Sequence, residues 1–164
     1  MRKRLTAVTL AAVLLMILAT GCGSGDGSAD LCAQAADAAL EKLGENTELD
    51  TTAAYGEETY DDNFERLYNF SMDMAADGVI VYSAEGSAAD EISLIKAADS
   101  NDAGKIRKYL QARLEQRLHD FENYMPEEVS KIENGRVVVM KQYVFLIISD
   151  RADEIETAIK EVLN

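Results

Sequence analysis

The chain has 164 residues, 48% of them hydrophobic, and its 30 acidic and 16 basic side chains give a formal net charge of -14. This length suits one domain built around a single core. The acidity argues against binding to nucleic acid and to anionic lipid headgroups, because both need clustered basic side chains. Solubility explains the acidity most simply, and weak, nonspecific binding of cations is the alternative.

The first 21 residues have the organisation of a secretory signal peptide. The basic residues 2–4 precede the uncharged apolar run 5–19, as in secretory signals. The run is shorter than the roughly 20 apolar residues that a permanent membrane-spanning helix needs. We therefore predict a signal over 1–21, a tether over 22–29 and a single α+β domain over 30–164. Removal of the signal leaves 13 basic and 30 acidic residues, a net charge of about -17.

Small residues lead to a cysteine in Ala19-Thr20-Gly21-Cys22. This segment resembles the lipobox of bacterial lipoproteins, with Ala19 where leucine is commonest. The resemblance implies cleavage between Gly21 and Cys22 and a diacylglycerol on the Cys22 sulfur, whose two acyl chains suffice for stable anchoring. The predicted location is the extracytoplasmic face of the cell membrane, and the predicted membrane contact is the lipid at Cys22. An ordinary secretory cut near Ala19 is the alternative.

The tether leads into a first helix. Residues 22–29 are rich in Gly and Ser, which predicts a flexible linker. Apolar spacing predicts a helix over 31–43, with Asp30 as its N-cap and Gly44 at its end. Because an acylated Cys22 cannot form a disulfide, we interpret Cys32 as a small packing residue; intermolecular pairing is the alternative.

Residues 45–60 are polar and lack a period, which predicts a loop with one extended stretch. A short amphipathic helix is then predicted over 60–70. Aromatic side chains and methionines concentrate in this part of the chain, where they favour a helix that covers a sheet over the alternative, a recognition surface. They are Tyr55, Tyr60, Phe64, Tyr68, Phe70, Met72 and Met74.

The second half predicts the order β-β-α-β-β-α. Strands are predicted over 78–83, 91–97, 136–140 and 143–149, and the last two form a hairpin through Lys141-Gln142. A long helix follows Gly104 and continues to about Tyr124, residues 126–135 form a turn of helix and a bend, and a last helix covers 150–163 with Asp150 as its N-cap.

The long helix carries an apolar stripe at steps of three and four. Its basic side chains, Arg113 and Arg117 among them, lie mostly off this stripe. The stripe consists of Ile106, Leu110, Leu114, Leu118, Phe121 and Met125.

These elements predict an α+β fold, a mostly antiparallel four-stranded sheet with helices packed on it, preceded by N-terminal helices. The run 144–148 does not alternate, so its strand is expected to be central and covered on both faces. We expect the long and last helices on one face and the helices 31–43 and 60–70 on the other; an uncovered face would be a partner site.

Two stretches carry a resemblance to a known family. Residues 86–99, "GSAADEISLIKAAD", and residues 121–155, which begin "FENYMPEEVSKIENG", resemble the bacterial family called domain of unknown function 4358. The resemblance runs from about Leu49 to the end. A glycine often precedes the second hairpin strand in that family, where this chain has Lys141-Gln142. The resemblance implies a membrane-anchored extracytoplasmic domain of undetermined function, of the lipoprotein-like kind found largely in clostridial Gram-positive bacteria.

No recognisable catalytic motif is present. His119, the only histidine, is interpreted as a surface residue, and the sequence lacks G-x-S-x-G and Gly-rich phosphate-binding patterns. Residues 99–104 match an EF-hand loop at positions one, three and six, but Ala103 and Leu110 replace two ligands. We therefore interpret Asp99, Asn101 or Asp102 as the cap of the long helix. No catalytic residue, cofactor or metal is predicted.

These observations predict a non-enzymatic binding or protein-interaction module at the cell envelope, with a possible envelope protein as its partner. Two alternatives stay open. One is an enzyme whose site is assembled from carboxylates and tyrosines without a motif; the other is a structural component of envelope assembly.

Overall fold

The computed structural model describes residues 31–44, 47–84, 86 and 88–164. The predicted signal over 1–21 and the tether over 22–29, with Gly21 and Cys22, lie outside these residues. The described helices are α1 (Leu31–Leu43), α2 (Glu58–Tyr68), α3 (Ala103–Glu122), α4 (Val129–Glu133) and α5 (Ala152–Leu163). The described strands are β1 (Thr51–Ala54), β2 (Ala75–Tyr82), β3 (Glu91–Ala97), β4 (Arg136–Met140) and β5 (Tyr143–Ile148). Short 3-10 turns, Met72–Met74 and Pro126–Glu128, precede β2 and α4.

The strands form one antiparallel sheet in the order β1-β2-β3-β5-β4. The predicted α+β class and antiparallel sheet are confirmed, and so are all four predicted strands. The predicted number of strands is wrong, because β1 pairs with β2 from Thr51 opposite Tyr82 to Ala54 opposite Val79. This strand has only four residues, too few to give the sequence a visible period of two, and its pairing with β2 supplies the backbone hydrogen bonds.

The strand β5 lies between β3 and β4 and is buried along its whole length. Val144 and Leu146 belong to the core on one face of the sheet, and Phe145 and Ile147 to the core on the other. The prediction that helices cover both faces of this strand is confirmed. The strand is an interior one rather than the middle one, which is β3.

Three helices, α2, α3 and α4, pack on the first face of the sheet. We call this side the aromatic face, because its core is rich in Phe and Tyr. The apolar stripe predicted for the long helix lies against this core. The fully buried side chains include Tyr60, Phe64, Ile80, Ile95, Ile106 and Leu110.

Two helices, α1 and α5, pack side by side on the opposite face, which we call the aliphatic face. Small residues of α1, such as Ala35 and Ala39, allow close approach to Ile155 and Ile159 of α5. The expectation that the long and last helices share a face is therefore wrong. Helical periodicity shows that each helix has an apolar stripe, but not which face of the sheet receives it.

The ends of the helices follow the sequence in part. Gly44 adopts the left-handed conformation at the end of α1 (φ 71°), as its position predicts. The last helix begins at Ala152, so Asp150 is not its N-cap; Arg151 holds that position. The Arg151 guanidinium instead donates to the carbonyl oxygens of Lys42 (2.8 Å) and Leu43 (3.2 Å), which satisfies the end of α1.

Candidate functional site

A buried carboxylate lies at the start of β3, on the aromatic face. Glu91 is 1% exposed. Ile92 and Leu94 point to the aliphatic face, and because side chains alternate along a strand, Glu91 points to the covered aromatic face. Its Oε2 accepts a hydrogen bond from Nη2 of Arg113 at 2.7 Å, and its Oε1 accepts one from the Tyr68 hydroxyl at 2.8 Å. The buried Ser93 hydroxyl also contacts the Tyr68 hydroxyl.

Two arginines of α3 approach this carboxylate, and they differ. Burial alone would lower the pKa of Arg113, but the charge and hydrogen bonds of Glu91 outweigh burial and raise it. Arg117 lies farther away, with its Nε 4.0 Å from Oε2 of Glu91, and burial lowers its pKa. This buried Nε has no hydrogen-bond partner. Two guanidinium groups thus share one buried carboxylate, and the charges of Asp120 and Glu128 also act on Arg117.

Other contacts hold Arg117 in place. Its Nη2 donates to the carbonyl oxygen of Ala88 at 2.9 Å, and its guanidinium carbon lies 4.3 Å from the ring centre of Phe121. A cation above an aromatic ring is attracted by the electron-rich ring face. Arg117 is therefore positioned by the backbone and by an aromatic ring, and not by a close carboxylate.

A second set of ion pairs fixes the segment before β3 against α4. Nζ of Lys131 lies 2.7 Å from Asp90 and 2.9 Å from Glu128, and Glu128 accepts the Ala89 backbone N–H at 2.8 Å. Burial would raise the pKa of Glu128, but the N–H of Ala89 and the ammonium of Lys131 together lower it. The pKa of Lys131 is raised, because these two carboxylates outweigh the effect of burial.

Two adjoining cavities, of about 310 and 250 Å³, open beside Arg113 and Arg117. Both are lined by Arg66, Leu67 and Arg113; we call their union the arginine groove. None of the described residues that line it is acidic, although the chain has 30 acidic side chains. The other described lining residues are Tyr68, Asn69, Tyr109, Ala112 and Gln116 in the larger cavity and Tyr82, Ser83, Ala84, Gly86 and Arg117 in the smaller one.

The two hydroxyl groups beside Glu91 are not available as nucleophiles. Ser93 is fully buried, and burial raises the pKa of the Tyr68 hydroxyl, so neither group is an accessible nucleophile. His119 lies exposed on α3. In the described part of the chain, no three His, Cys, Asp or Glu side chains are placed to hold a metal ion.

The aromatic side chains of this part of the chain belong mainly to the hydrophobic core, which is the alternative that the sequence favours. Tyr60, Phe64, Tyr68 and Phe70 are buried, and the Phe64 ring lies 4.3 Å from the Phe70 ring between centroids. Tyr55 is exposed. The aromatic residues thus cover the sheet, and only Tyr68 among these four lines the groove.

The other residues selected from the sequence have structural places. Cys32 is a fully buried free thiol whose pKa is raised, chiefly by burial, which confirms its packing role. Asp102 occupies the N-cap position of α3, but its carboxylate pairs with Lys105 at 2.6 Å and not with a backbone N–H. Asp99 accepts the Asn101 backbone N–H within the preceding turn. The prediction that one of these residues caps the long helix is therefore confirmed for the position of Asp102. It is wrong for the hydrogen bond, because no side chain caps a backbone N–H there.

Glu91, Arg113 and Arg117 were not predicted as site residues from the sequence. Arg113 and Arg117 are 11% and 13% exposed, although they were expected mostly off the buried stripe. Each lies three residues after a stripe leucine, Leu110 or Leu114, so both sit on the flank of the stripe. The i, i+4 spacing of two arginines on this flank was the available signal.

A family model described as Domain of unknown function (DUF4358) matches residues 48–149, and the chain belongs to that family. The match spans β1 to β5 and contains every described residue of the arginine groove, whereas α1 and α5 lie outside it. No curated protein and no solved structure matches the chain. Among the described helices, none combines the length and the hydropathy that crossing a membrane would require.

Proposed function

We propose that this member of the family is a lipoprotein of the clostridial kind, anchored outside the cytoplasmic membrane through Cys22, and that it binds its ligand in the arginine groove without catalysing a reaction. The observation that carries the binding role is the groove itself. Three arginines line it and no described acidic side chain does, in a chain with a net charge of -14.

The anchoring part of the proposal rests on the first 29 residues. A basic start, an apolar run and small residues before Cys22 fit a lipoprotein signal. The Gly- and Ser-rich residues of the predicted tether over 22–29 join Cys22 to the domain in the sequence. The acidic chain lacks the electrostatic attraction that could replace a lipid.

The binding part rests on electrostatics. Buried charges are normally paired, because an unpaired charge in the interior loses the solvation it has in water. Arg117 is 13% exposed and has its nearest carboxylate at 4.0 Å. A surface that holds such a group beside an open cavity favours a ligand that compensates the charge. An envelope protein that inserts an acidic side chain would satisfy the same requirement.

The anchor is tested by Cys22→Ala in cells grown with radiolabelled fatty acid. We expect loss of the label and release of the domain into the medium. Cys32→Ala is the matched control, since this buried thiol should leave both label and location unchanged. Labelled lipid on Cys22→Ala would reject the anchoring proposal.

The binding role is tested by photo-crosslinking in native membranes. A photoreactive residue replaces Gln116, which is exposed and lines the groove, or Gln142, which is exposed in the turn between β4 and β5. We expect a crosslinked species from position 116 alone. Recovery of the uncrosslinked chain from both positions would reject binding of a protein partner in the groove.

A further inference from the structure

We infer that the smaller cavity of the arginine groove binds a small oxyanion, a carboxylate or a phosphate group, between Arg117 and Arg66. This inference rests on the proposed binding function and specifies its ligand class. It follows from the charge that Glu91 leaves uncompensated, from the free donors that line the cavity and from the size of the space.

Glu91 has no capacity left for Arg117. Its Oε2 accepts from Nη2 and Nε of Arg113 at 2.7 and 3.2 Å, and its Oε1 accepts from the Tyr68 hydroxyl at 2.8 Å and from Nε of Arg113 at 3.3 Å. The Arg117 Nε, at 4.0 Å, is outside hydrogen-bond range. An anion in the cavity would compensate the charge of Arg117 without disturbing the pair of Arg113 and Glu91.

The donors suit an oxyanion. A guanidinium carries five N–H donors in a planar fork that matches two oxygens of a carboxylate or a phosphate. Arg117 uses Nη2 on the Ala88 carbonyl, and Arg66 uses Nη2 on Oδ1 of Asn63 at 2.6 Å. Each guanidinium therefore keeps further N–H groups for a ligand. Arg66 is exposed, so it can follow an entering anion.

The size and the surrounding charge restrict the ligand. A cavity of about 250 Å³ is slightly smaller than the roughly 300–1,000 Å³ of pockets for drug-sized molecules. The net charge of -14 repels a long polyanion, whereas a small anion inside the groove interacts mainly with the nearby arginines. These two facts favour a small acid over a nucleic acid or an anionic polymer.

The test titrates the full chain in neutral detergent with inorganic phosphate and with succinate at fixed ionic strength, followed by calorimetry. We expect saturable one-site binding of at least one probe. Arg66→Gln should weaken that binding about tenfold to a hundredfold, since hydrogen bonds to charged groups contribute about 1.5–3 kcal/mol. Arg107→Gln, an exposed arginine elsewhere on α3, is the matched control and should bind like the wild type.

The two probes separate the sources of the oxyanion: saturation by phosphate alone supports a phosphate ligand, and saturation by succinate alone supports a carboxylate. No saturable binding of either probe overturns the inference, and so does an equal loss in the Arg66 and Arg107 variants. Since Arg66 is exposed, its variant tests the site without removing a buried group. A protein crosslinked at position 116, with no binding of either anion, would retain the proposed binding function and reject the oxyanion.

Discussion

The two faces of the sheet are built from different chemistry. The aliphatic face packs alanines of α1 and isoleucines of α5 on strand residues such as Ile92 and Leu94. The aromatic face packs Phe and Tyr side chains, and it also receives the buried carboxylate Glu91 with two arginines of α3. The first face is a continuous apolar contact, whereas the second combines an apolar core with a charged end beside an open groove.

This difference separates the side of the domain that mainly stabilises the fold from the side where we propose binding. Apolar burial stabilises without direction, in proportion to the area removed from water. Buried ion pairs add little net stability, yet they fix positions, because a partner that is removed leaves an unpaired charge. We therefore expect the aliphatic face to respond to changes in volume, and the charged end of the aromatic face to respond to changes in charge.

The largest effect on stability is expected from Glu91→Ala, which leaves the buried Arg113 without its partner carboxylate. The free energy of unfolding should fall by about 3–5 kcal/mol, as when one partner of a buried pair is removed. Chemical denaturation measures this loss. The double replacement of Glu91 by Leu and Arg113 by Met should recover most of it, because apolar groups need no counterion. A loss below about 1 kcal/mol for Glu91→Ala would contradict the buried ion pair.

On the aliphatic face, Ile155→Ala should cost about 2–5 kcal/mol, because it removes buried methyl groups and leaves a cavity. Chemical denaturation measures this change in the free energy of unfolding. The comparison of faces predicts that this variant, while folded, binds phosphate or succinate as tightly as the wild type. A weakened anion affinity in folded Ile155→Ala would show that the two faces are coupled through the sheet.

A smaller loss of stability is expected from substitution of Gly78, where β2 passes the hydroxyl end of Tyr60 on the aromatic face. A Cβ at position 78 would collide with the Tyr60 hydroxyl and come within 3.1 Å of the Leu94 carbonyl oxygen. Gly78→Ala should therefore destabilise by about 1–3 kcal/mol, as overpacking does.

Tyr60→Phe provides the control for Gly78→Ala. The buried Tyr60 hydroxyl has no hydrogen-bond partner, so its removal should be neutral or stabilising. The double variant should regain part of the stability lost in Gly78→Ala, since the colliding hydroxyl is gone while the Tyr60 Cζ and the Leu94 carbonyl oxygen remain 3.1 Å from the new Cβ. Equal losses for the single glycine variant and the double variant in thermal denaturation would contradict this contact.

The smallest expected effect is on the pH dependence of stability, through the ion pairs around Lys131. The hydrogen bond from Ala89 and the charge of Lys131 hold the pKa of Glu128 below its ordinary value of 4.5, against the effect of burial. Its stabilisation is therefore present above pH 4.5 and is lost as the pH falls through the lowered pKa of the folded state.

Glu128→Gln tests this dependence by denaturation between pH 7 and pH 3. The variant should be less stable than the wild type at pH 7, and the difference should shrink below pH 4.5. The neighbouring Glu127→Gln, at an exposed position, should show no such convergence. A difference between wild type and Glu128→Gln that does not change with pH would mean that the carboxylate charge is not involved.

Much of the fold could be predicted from local pattern. The run 91–97 predicts β3 with its observed ends, and the stripe from Ile106 to Met125 predicts the buried side of α3. Each pattern depends only on the period of one element, 2.0 for a strand and 3.6 for a helix. For β1 the sequence predicted only an extended stretch somewhere within residues 45–60, because four residues carry no usable period.

The candidate site could not be predicted in the same way. Glu91, Arg113 and Arg117 each occur at positions that an isolated strand or helix would leave in water. They are buried because α3 crosses β3 at the end of the sheet and brings the opposite charges together. No rule on the spacing of residues within one element contains that contact.

The sequence by itself determined the helices, four of the five strands, the family resemblance and the residue pattern from which a lipoprotein signal over 1–21 is predicted. Only the tertiary structure decided that α3 and α5 lie on opposite faces, that β1 completes the sheet and that Arg66, Arg113 and Arg117 line one groove. The reason is physical: periodicity is a local property of the backbone, whereas the pairing of buried charges depends on which elements meet in space.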